Sequence, residues 1–356
     1  MVRRNDTPYR SLCELLRFVV AELPKPINEN DAIGRWLQRA KSLPEVTNFG
    51  FEHHLNQGRV DLLIAIARRP EQVSNVCAWL NTQTHWPVAR ELTCWLELWG
   101  DTQSAVGQLW LEFDDSDIAT PAIFFSNLTN SSTFNDEALT ALARLGLLNA
   151  SARKALESCV EMDGVKVTDI AIMANRKDSP VRLNSVYNER LLQSVSAAHR
   201  KHIEALEAAV PDASINVALN ISNGECRLSG YEIRPKARRP DESLDEHWHS
   251  LTACLPGLTT PMRKSIDNIC QWASQSPTPV SAEHPSGLIL EGLKHYRQGP
   301  LLQQRVLSHL KYDAQGLSNL HDSDAEVPNI KVYLGVHSVP ASRAPTGDAA
   351  SDSPPS

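Results

Sequence analysis

The sequence predicts an α/β chain in which ten antiparallel strands close into one barrel, with helices on the outside. Three observations predict it. A strand–strand–helix pattern recurs five times between residues 47 and 338. Apolar and polar residues alternate within the strands, which gives the sheet one oily face and one polar face. Ten antiparallel strands also twist enough to favour closure over a flat open sheet. An open sheet with one wet side is the simpler alternative. It leaves unexplained why a helix follows every hairpin and why bulky polar and aromatic groups share a face.

The elements follow in order. Residues 8–44 read as two helices, RSLCELLRFVVAEL and NDAIGRWLQRAKSL, separated by Pro24 and Pro26, with Asn30 as a candidate cap. The first unit is TNFGFEHHL, a turn at Asn56-Gln57-Gly58, then RVDLLIAIA, with helices over PEQVSNVCAWLNTQ and WPVARELTCWLELWG. The second is GQLWLEFDD, a break at Ser116–Thr120, then PAIFFSNL, with helices over NDEALTALARLGLL and SARKALESCVEMDG. The third is KVTDIAIMANR, a turn at Lys177–Ser179, then PVRLNSVY and a helix from Asn188 to Val210. The fourth is SINVALNIS, a turn at Asn223-Gly224, then ECRLSGYEI, with helices over DEHWHSLTACL and TPMRKSIDNICQWAS. The fifth is SGLILEGLKHY, a connection through 297–328, then NIKVYLGVHS. The expected organisation is therefore helices at 1–46, the barrel at 47–338 and a disordered Pro/Ser/Ala-rich tail at 339–356.

Composition narrows the function classes. The chain has 356 residues, a formal charge of −7, 42% apolar and 22% charged residues, which leaves ample material for a core. A mildly acidic chain without a basic stripe argues against a nucleic-acid partner. No run reaches the ~18 apolar residues needed to span a bilayer, so no membrane association is expected. The N-terminal apolar run is broken by Glu14 and Arg17 and reads as an amphipathic helix, not a signal. The seven cysteines are scattered, odd in number and without a CxxC spacing, as in a cytoplasmic protein with reduced thiols. The phosphate-binding and dinucleotide glycine motifs, GxSxG and HExxH are all absent. Asp114, Asp115 and Asp117 read as an acidic strand-to-turn loop. His247 and His249 do not share a helix face, and His53 and His54 point to opposite sides of a strand, so no metal site is predicted.

The polar face carries the candidate chemistry. Glu52, His54, Arg59, Asp61, Trp110, Glu112 and Asp114 come from the early strands, and Asp169, Asn175, Arg182, Asn184, Asn216 and Asn220 from the middle ones. Arg227, Tyr231, Lys294, Lys331 and Tyr333 come from the late strands. Carboxylates dominate the first two units; Arg and Lys dominate the second strand of the later ones. Such a lumen could hold a diphosphate at its cationic end, since Arg and Lys are the natural partners of phosphate oxygens. A cationic or N–H-bearing acceptor would then suit the acidic end. Alternatively, these residues pair with one another as lumen salt bridges.

The fivefold strand–strand–helix order resembles the ABBA, or prenyltransferase-barrel, family of aromatic and peptide prenyltransferases. The hairpin FGFEHHLNQGRVDLLIAI is similar to the fungal-type hairpin whose glutamate binds the acceptor N–H and whose arginine meets diphosphate, which maps to Glu52 and Arg59. PVRLNSVY is similar to an Arg-x-Lys-x-Tyr strand, with only Arg182 matching. IKVYLG is similar to the Lys-x-Tyr strands, through Lys331 and Tyr333. PAIFFSNL departs from the pattern, with Ala122 and Phe124 where a Lys-x-Tyr pair is expected. The resemblance implies transfer of an isoprenoid group from an allylic diphosphate, dimethylallyl or geranyl, to an aromatic or nitrogen-bearing acceptor, small molecule or peptide side chain. Arg59, Arg182, Arg227, Lys294, Lys331 and Tyr333 would hold the diphosphate. Trp110, Phe124 and Tyr231 would line the prenyl and acceptor space, and Glu52 or Glu112 would orient the acceptor and take its proton. No cofactor would be required, with magnesium left open. The missing Lys-x-Tyr pairs keep a second reading in play, a non-catalytic barrel that binds a small ligand or peptide.

Overall fold

The computed structural model of the chain describes most of residues 23–340. Positions 1–22, 25–26, 28–30, 45, 47, 102, 116, 129, 163, 177–179, 189–202, 205, 209, 212, 236–243, 256, 276–277, 280–300, 314–328 and 341–356 lie outside the description. The strands are β1 (Asn48–His54), β2 (Arg59–Ala67), β3 (Gln108–Asp114), β4 (Asp117–Ser126), β5 (Val167–Ile172), β6 (Val181–Val186), β7 (Ala213–Ser222), β8 (Glu225–Pro235), β9 (Thr278–Pro279), β10 (Leu301–Asp313) and β11 (Ile330–Pro340). The helices are α1 (Asp31–Arg39), α2 (Pro70–Leu80), α3 (Ala89–Asp101), α4 (Phe134–Arg144), α5 (Ala150–Val160), α6 (Leu244–Cys254) and α7 (Thr260–Ala273).

The sheet is a closed antiparallel barrel of ten strands. β1 to β8 pair in chain order, β8 pairs with β10, β10 with β11, and β11 returns to β1; the two-residue β9 adds to β10. Closure gives each of the ten barrel strands a partner on both sides, whereas an open sheet of this width would leave two edge strands exposed. The hairpin turns gather at one end of the barrel, the turn end. The connections through helices gather at the other, the helix end.

The core lies between the outer face of the sheet and the helices. Phe49 and Phe51 on β1, Leu62 and Ile64 on β2, Leu111 and Phe113 on β3 and Phe125 on β4 are fully buried there. Each such side chain contributes roughly 1.5–3 kcal/mol. Tryptophans fix the helices against the strands. Trp36 of α1 donates its indole N–H to the Val60 carbonyl at 2.6 Å, and Trp99 of α3 donates to Val106 at 2.8 Å. Trp95 stacks on Trp99 at 5.4 Å and meets Phe125 edge-on at 5.0 Å. Local chemistry sets the helix starts. The Asn149 side chain accepts from the Ala152 N–H at 2.7 Å, Thr259 caps α7, and Pro70 opens α2.

The sequence reading needs three corrections. The break at Ser116–Thr120 is shorter than expected, because β4 already begins at Asp117, which pairs with Asp114. The strand of the fifth unit lies at Leu301–Asp313, inside the segment read as a connection, whereas residues 286–296 lie outside the described residues. Tyr231 does not face the lumen. A β-bulge at Ser229 sets two residues of β8 against one of β7, with Ala218 opposite Gly230 and Leu219 opposite Leu228. The extra residue inverts the faces beyond it, so Tyr231 enters the outer core and Glu232 turns inward. Residues 10–22 of the first N-terminal helix, Asn30, most of the helix at 188–210 and residues 341–356 of the tail lie outside the described residues, whereas Val339 and Pro340, read as the start of the tail, end β11.

Candidate active site

The inner face of the barrel divides into two layers. The turn end is closed by ion pairs. Glu52 on β1 accepts from Lys331 on β11, and His54 Nε2 lies 3.2 Å from Glu52 and 3.0 Å from Asp61. Arg59 spans Asp61 at 2.8 Å and Asp114 at 2.9 Å, and Arg176 reaches Glu112 at 3.5 Å. Outside them, Asp115 receives Arg35 and Arg39 of α1. Burial opposes ionisation of Glu52, but Lys331 and His54 outweigh it and hold the carboxyl well below its usual range. Burial also disfavours the His54 cation, yet the bonds to Asp61 and Glu52 raise its pKa. Glu52, His54 and Asp61 bring ligand atoms within 4.8 Å of one another, a donor set of the right type for a divalent cation. Lys331 and Arg59 already neutralise its two carboxylates.

Towards the helix end the lumen opens into a cavity of about 430 Å³. One wall is apolar and aromatic: Trp110 on β3 and Phe124 on β4, with Ala122, Ala171 and Met173 packed against them. The opposite wall carries Lys311 and His309 on β10, Glu232 and Arg234 on β8, and Tyr333 on β11. Gly50 on β1 and Gly335 on β11 face each other here and leave room. The His309 and Tyr333 rings stack at 4.0 Å. Glu112 forms the floor, and Ser126 donates to Asp169 at the rim.

The electrostatics of this layer follow from burial. Lys311 lies 3.3 Å from Glu232. Burial, helped by Arg182, pulls the Lys311 pKa down to about 8. Burial pushes the Glu232 carboxyl up, but Lys311, His309 and Arg234 outweigh it and hold it at about 2. Burial and the charge of Glu52 raise Glu112. The same two causes hold the Tyr333 phenol well above its ordinary value, so it remains a donor. Arg182 on β6 is 2% exposed and makes its bonds to neutral groups, Asn220 Oδ1 and Ser229 Oγ, both at 3.0 Å. Burial and the nearby Arg176 lower its pKa, the signature of a guanidinium with too little negative charge around it.

The structure thus brings Trp110, Glu112, Phe124 and Tyr333 to the cavity, with Arg182, Glu52 and Lys331 deeper in the lumen. Arg59 sits in the ion-pair layer. Arg227 follows the inner register opposite Asn220 but lies next to the hairpin tip, where its side chain is 77% exposed and paired with Glu225. That exposure argues against the lumen role expected of it. Lys294 lies outside the described residues. Sequence reasoning missed Lys311, His309, Glu232 and Arg176. The alternation in RVLSHLKYD was available as a signal, but a bulge between Leu307 and His309 breaks its period. Arg176 reads as the last residue of a strand segment, but the strand ends at Ile172, and Arg176 reaches the lumen through a side chain that folds back to Glu112.

No protein-family model matches the chain, and no curated protein matches its sequence. The chain is similar in structure to PriB in a binary complex with product diphosphate, at 13% identity and a TM-score of 0.46, over 90% of this chain and 93% of that one. It is similar also to AnaPT from Neosartorya fischeri, at 12% identity and a TM-score of 0.46, over 92% and 94%. The closed barrel of strand–strand–helix units stands on this chain's own strand pairing.

Proposed function

We propose that the lumen transfers an isoprenoid group from an allylic diphosphate to an aromatic or nitrogen-bearing acceptor. The observation that carries this reading is the juxtaposition of an aromatic wall with Arg182, a buried guanidinium with no carboxylate partner among the described residues, and Lys311. Ionising the allylic C–O bond builds negative charge on the leaving diphosphate. Arg182 and Lys311 would stabilise it, and the Tyr333 hydroxyl would donate to it. The Trp110 and Phe124 faces would shield the allylic cation. Glu112, whose pKa burial raises, would take the proton that the acceptor loses. In this arrangement Glu52 keeps Lys331 and His54 in place rather than touching the acceptor.

One observation favours a second reading, a barrel that binds a ligand without turnover. Lys331, Arg59, Arg176 and Lys311 each already face a carboxylate. A diphosphate would have to compete with those partners.

Calorimetric titration with dimethylallyl and geranyl thiolodiphosphates, with and without magnesium, decides between the two. Saturable binding weakened tenfold or more in Arg182→Met and Lys311→Met supports prenyl transfer. Such a loss equals about 1.4 kcal/mol or more, within the range of a charge-assisted hydrogen bond. Binding of neither mimic to a folded barrel would refute it and leave the ligand-binding reading.

A further inference from the structure

Away from the lumen, two thiols from distant parts of the chain meet on the outer face of the barrel. Cys159 in the last turn of α5 and Cys226 near the start of β8 place their sulfurs 3.9 Å apart, across 67 residues of chain. Cys159 is 4% exposed, and Cys226 is half-buried. Both are free thiols. We propose that Cys159 and Cys226 form a redox dithiol that closes to a reversible disulfide and tethers α5 to β8.

The chemistry is balanced with a peroxide as oxidant. The contact between the thiols favours ionisation of Cys159 against the cost of burial, while the same contact, then burial, hold Cys226 up. The Cys159 thiolate attacks one peroxide oxygen, giving a sulfenic acid and, after protonation, water. The Cys226 sulfur then attacks the sulfenic sulfur and loses its proton, and a second water leaves. Two thiols are oxidised by two electrons, and one peroxide is reduced to two waters. A neighbouring thiol at this separation intercepts the sulfenic acid before it oxidises further. The location gives the bridge a consequence. Cys226 follows the Asn223-Gly224 turn, where both residues have positive φ (51° and 81°), and it precedes the bulge at Ser229, whose hydroxyl holds Arg182. A bridge would pin this stretch of β8 to α5.

The test uses the full chain with its seven cysteines. The native protein is treated with one equivalent of hydrogen peroxide, alkylated with N-ethylmaleimide and digested without reduction for mass spectrometry. The expected result is a Cys159–Cys226 cross-linked peptide, loss of two alkylatable thiols, and recovery of both with dithiothreitol. Cys94→Ser, which removes an exposed thiol, should leave the cross-link intact, and Cys226→Ser should abolish it. Recovery of Cys159 and Cys226 as alkylated thiols while Cys94 or Cys254 is consumed would overturn the proposal. So would accumulation of sulfinic acid at either sulfur without the cross-link.

Discussion

Two glycine-to-alanine substitutions should shift stability in opposite directions. At Gly230 on β8, an added Cβ would lie 2.1 Å from the Tyr312 carbonyl oxygen and 3.2 Å from its carbon, whereas real Cβ atoms essentially never come within 3.0 Å. The obstacle is backbone, so no side chain can rotate away. β8 and β10 would have to part by roughly 1 Å, a strain of the overpacking kind worth about 1–3 kcal/mol. The seam between them registers only four residue pairs, from Leu310↔Ile233 to Asp313↔Gly230, and it completes the barrel. Weakening one or two of its ladder bonds adds about 1 kcal/mol each. Gly230→Ala should therefore cost about 2–5 kcal/mol, with a lower urea midpoint. At Gly34, inside α1 and exposed, an added Cβ meets nothing within 4 Å. Gly34→Ala should stabilise by about 0.5–1 kcal/mol through helix propensity alone. Urea unfolding followed by circular dichroism reads both. An unchanged midpoint in Gly230→Ala would show that the strands do not approach this closely and would remove the argument for a tight β8–β10 closure.

Further outcomes follow from the same geometry. Burial, and then the neighbouring His54, hold His53 down at about 4, against an ordinary value of 6.5. Its contribution is present above pH 6.5 and is lost as the pH falls towards 4; at pH 5 the loss is about 2 kcal/mol relative to pH 7. His53→Gln should flatten that dependence in urea titrations at the two pH values, and an unaltered slope would refute the assignment. Trp36→Phe removes the 2.6 Å bond to the Val60 carbonyl and should cost about 1–3 kcal/mol in the same assay. A cost near zero would mean that α1 is not anchored by that bond. Gln substituted for Glu232 removes the carboxylate beside Lys311 and should tighten binding of a thiolodiphosphate if the lumen accepts one, since the ammonium then lacks its internal partner. Weaker binding would show that Glu232 serves to position Lys311.

The sequence by itself determined the strand–strand–helix repetition and most faces of the strands, because side chains alternate strictly and one face must lie under helices. Glu112 opposite Leu111 and Phe113, and Lys331 and Tyr333 opposite Val332 and Leu334, could be assigned from that period alone. Only the tertiary structure decided the faces beyond the bulges. One extra residue at Ser229 exchanges Tyr231 for Glu232, and another between Leu307 and His309 puts His309 and Lys311 into the lumen. Local sequence encodes neither shift, because a bulge is set by how a strand must bend to meet its partner in a closing barrel. Tertiary structure also decided which charges find partners. The sequence shows carboxylates on the polar face of the first two strand pairs and Arg and Lys on the second strands of the later ones. The closed barrel folds them onto each other, so Lys331 meets Glu52 across the β1–β11 seam while Arg182 is left with neutral acceptors.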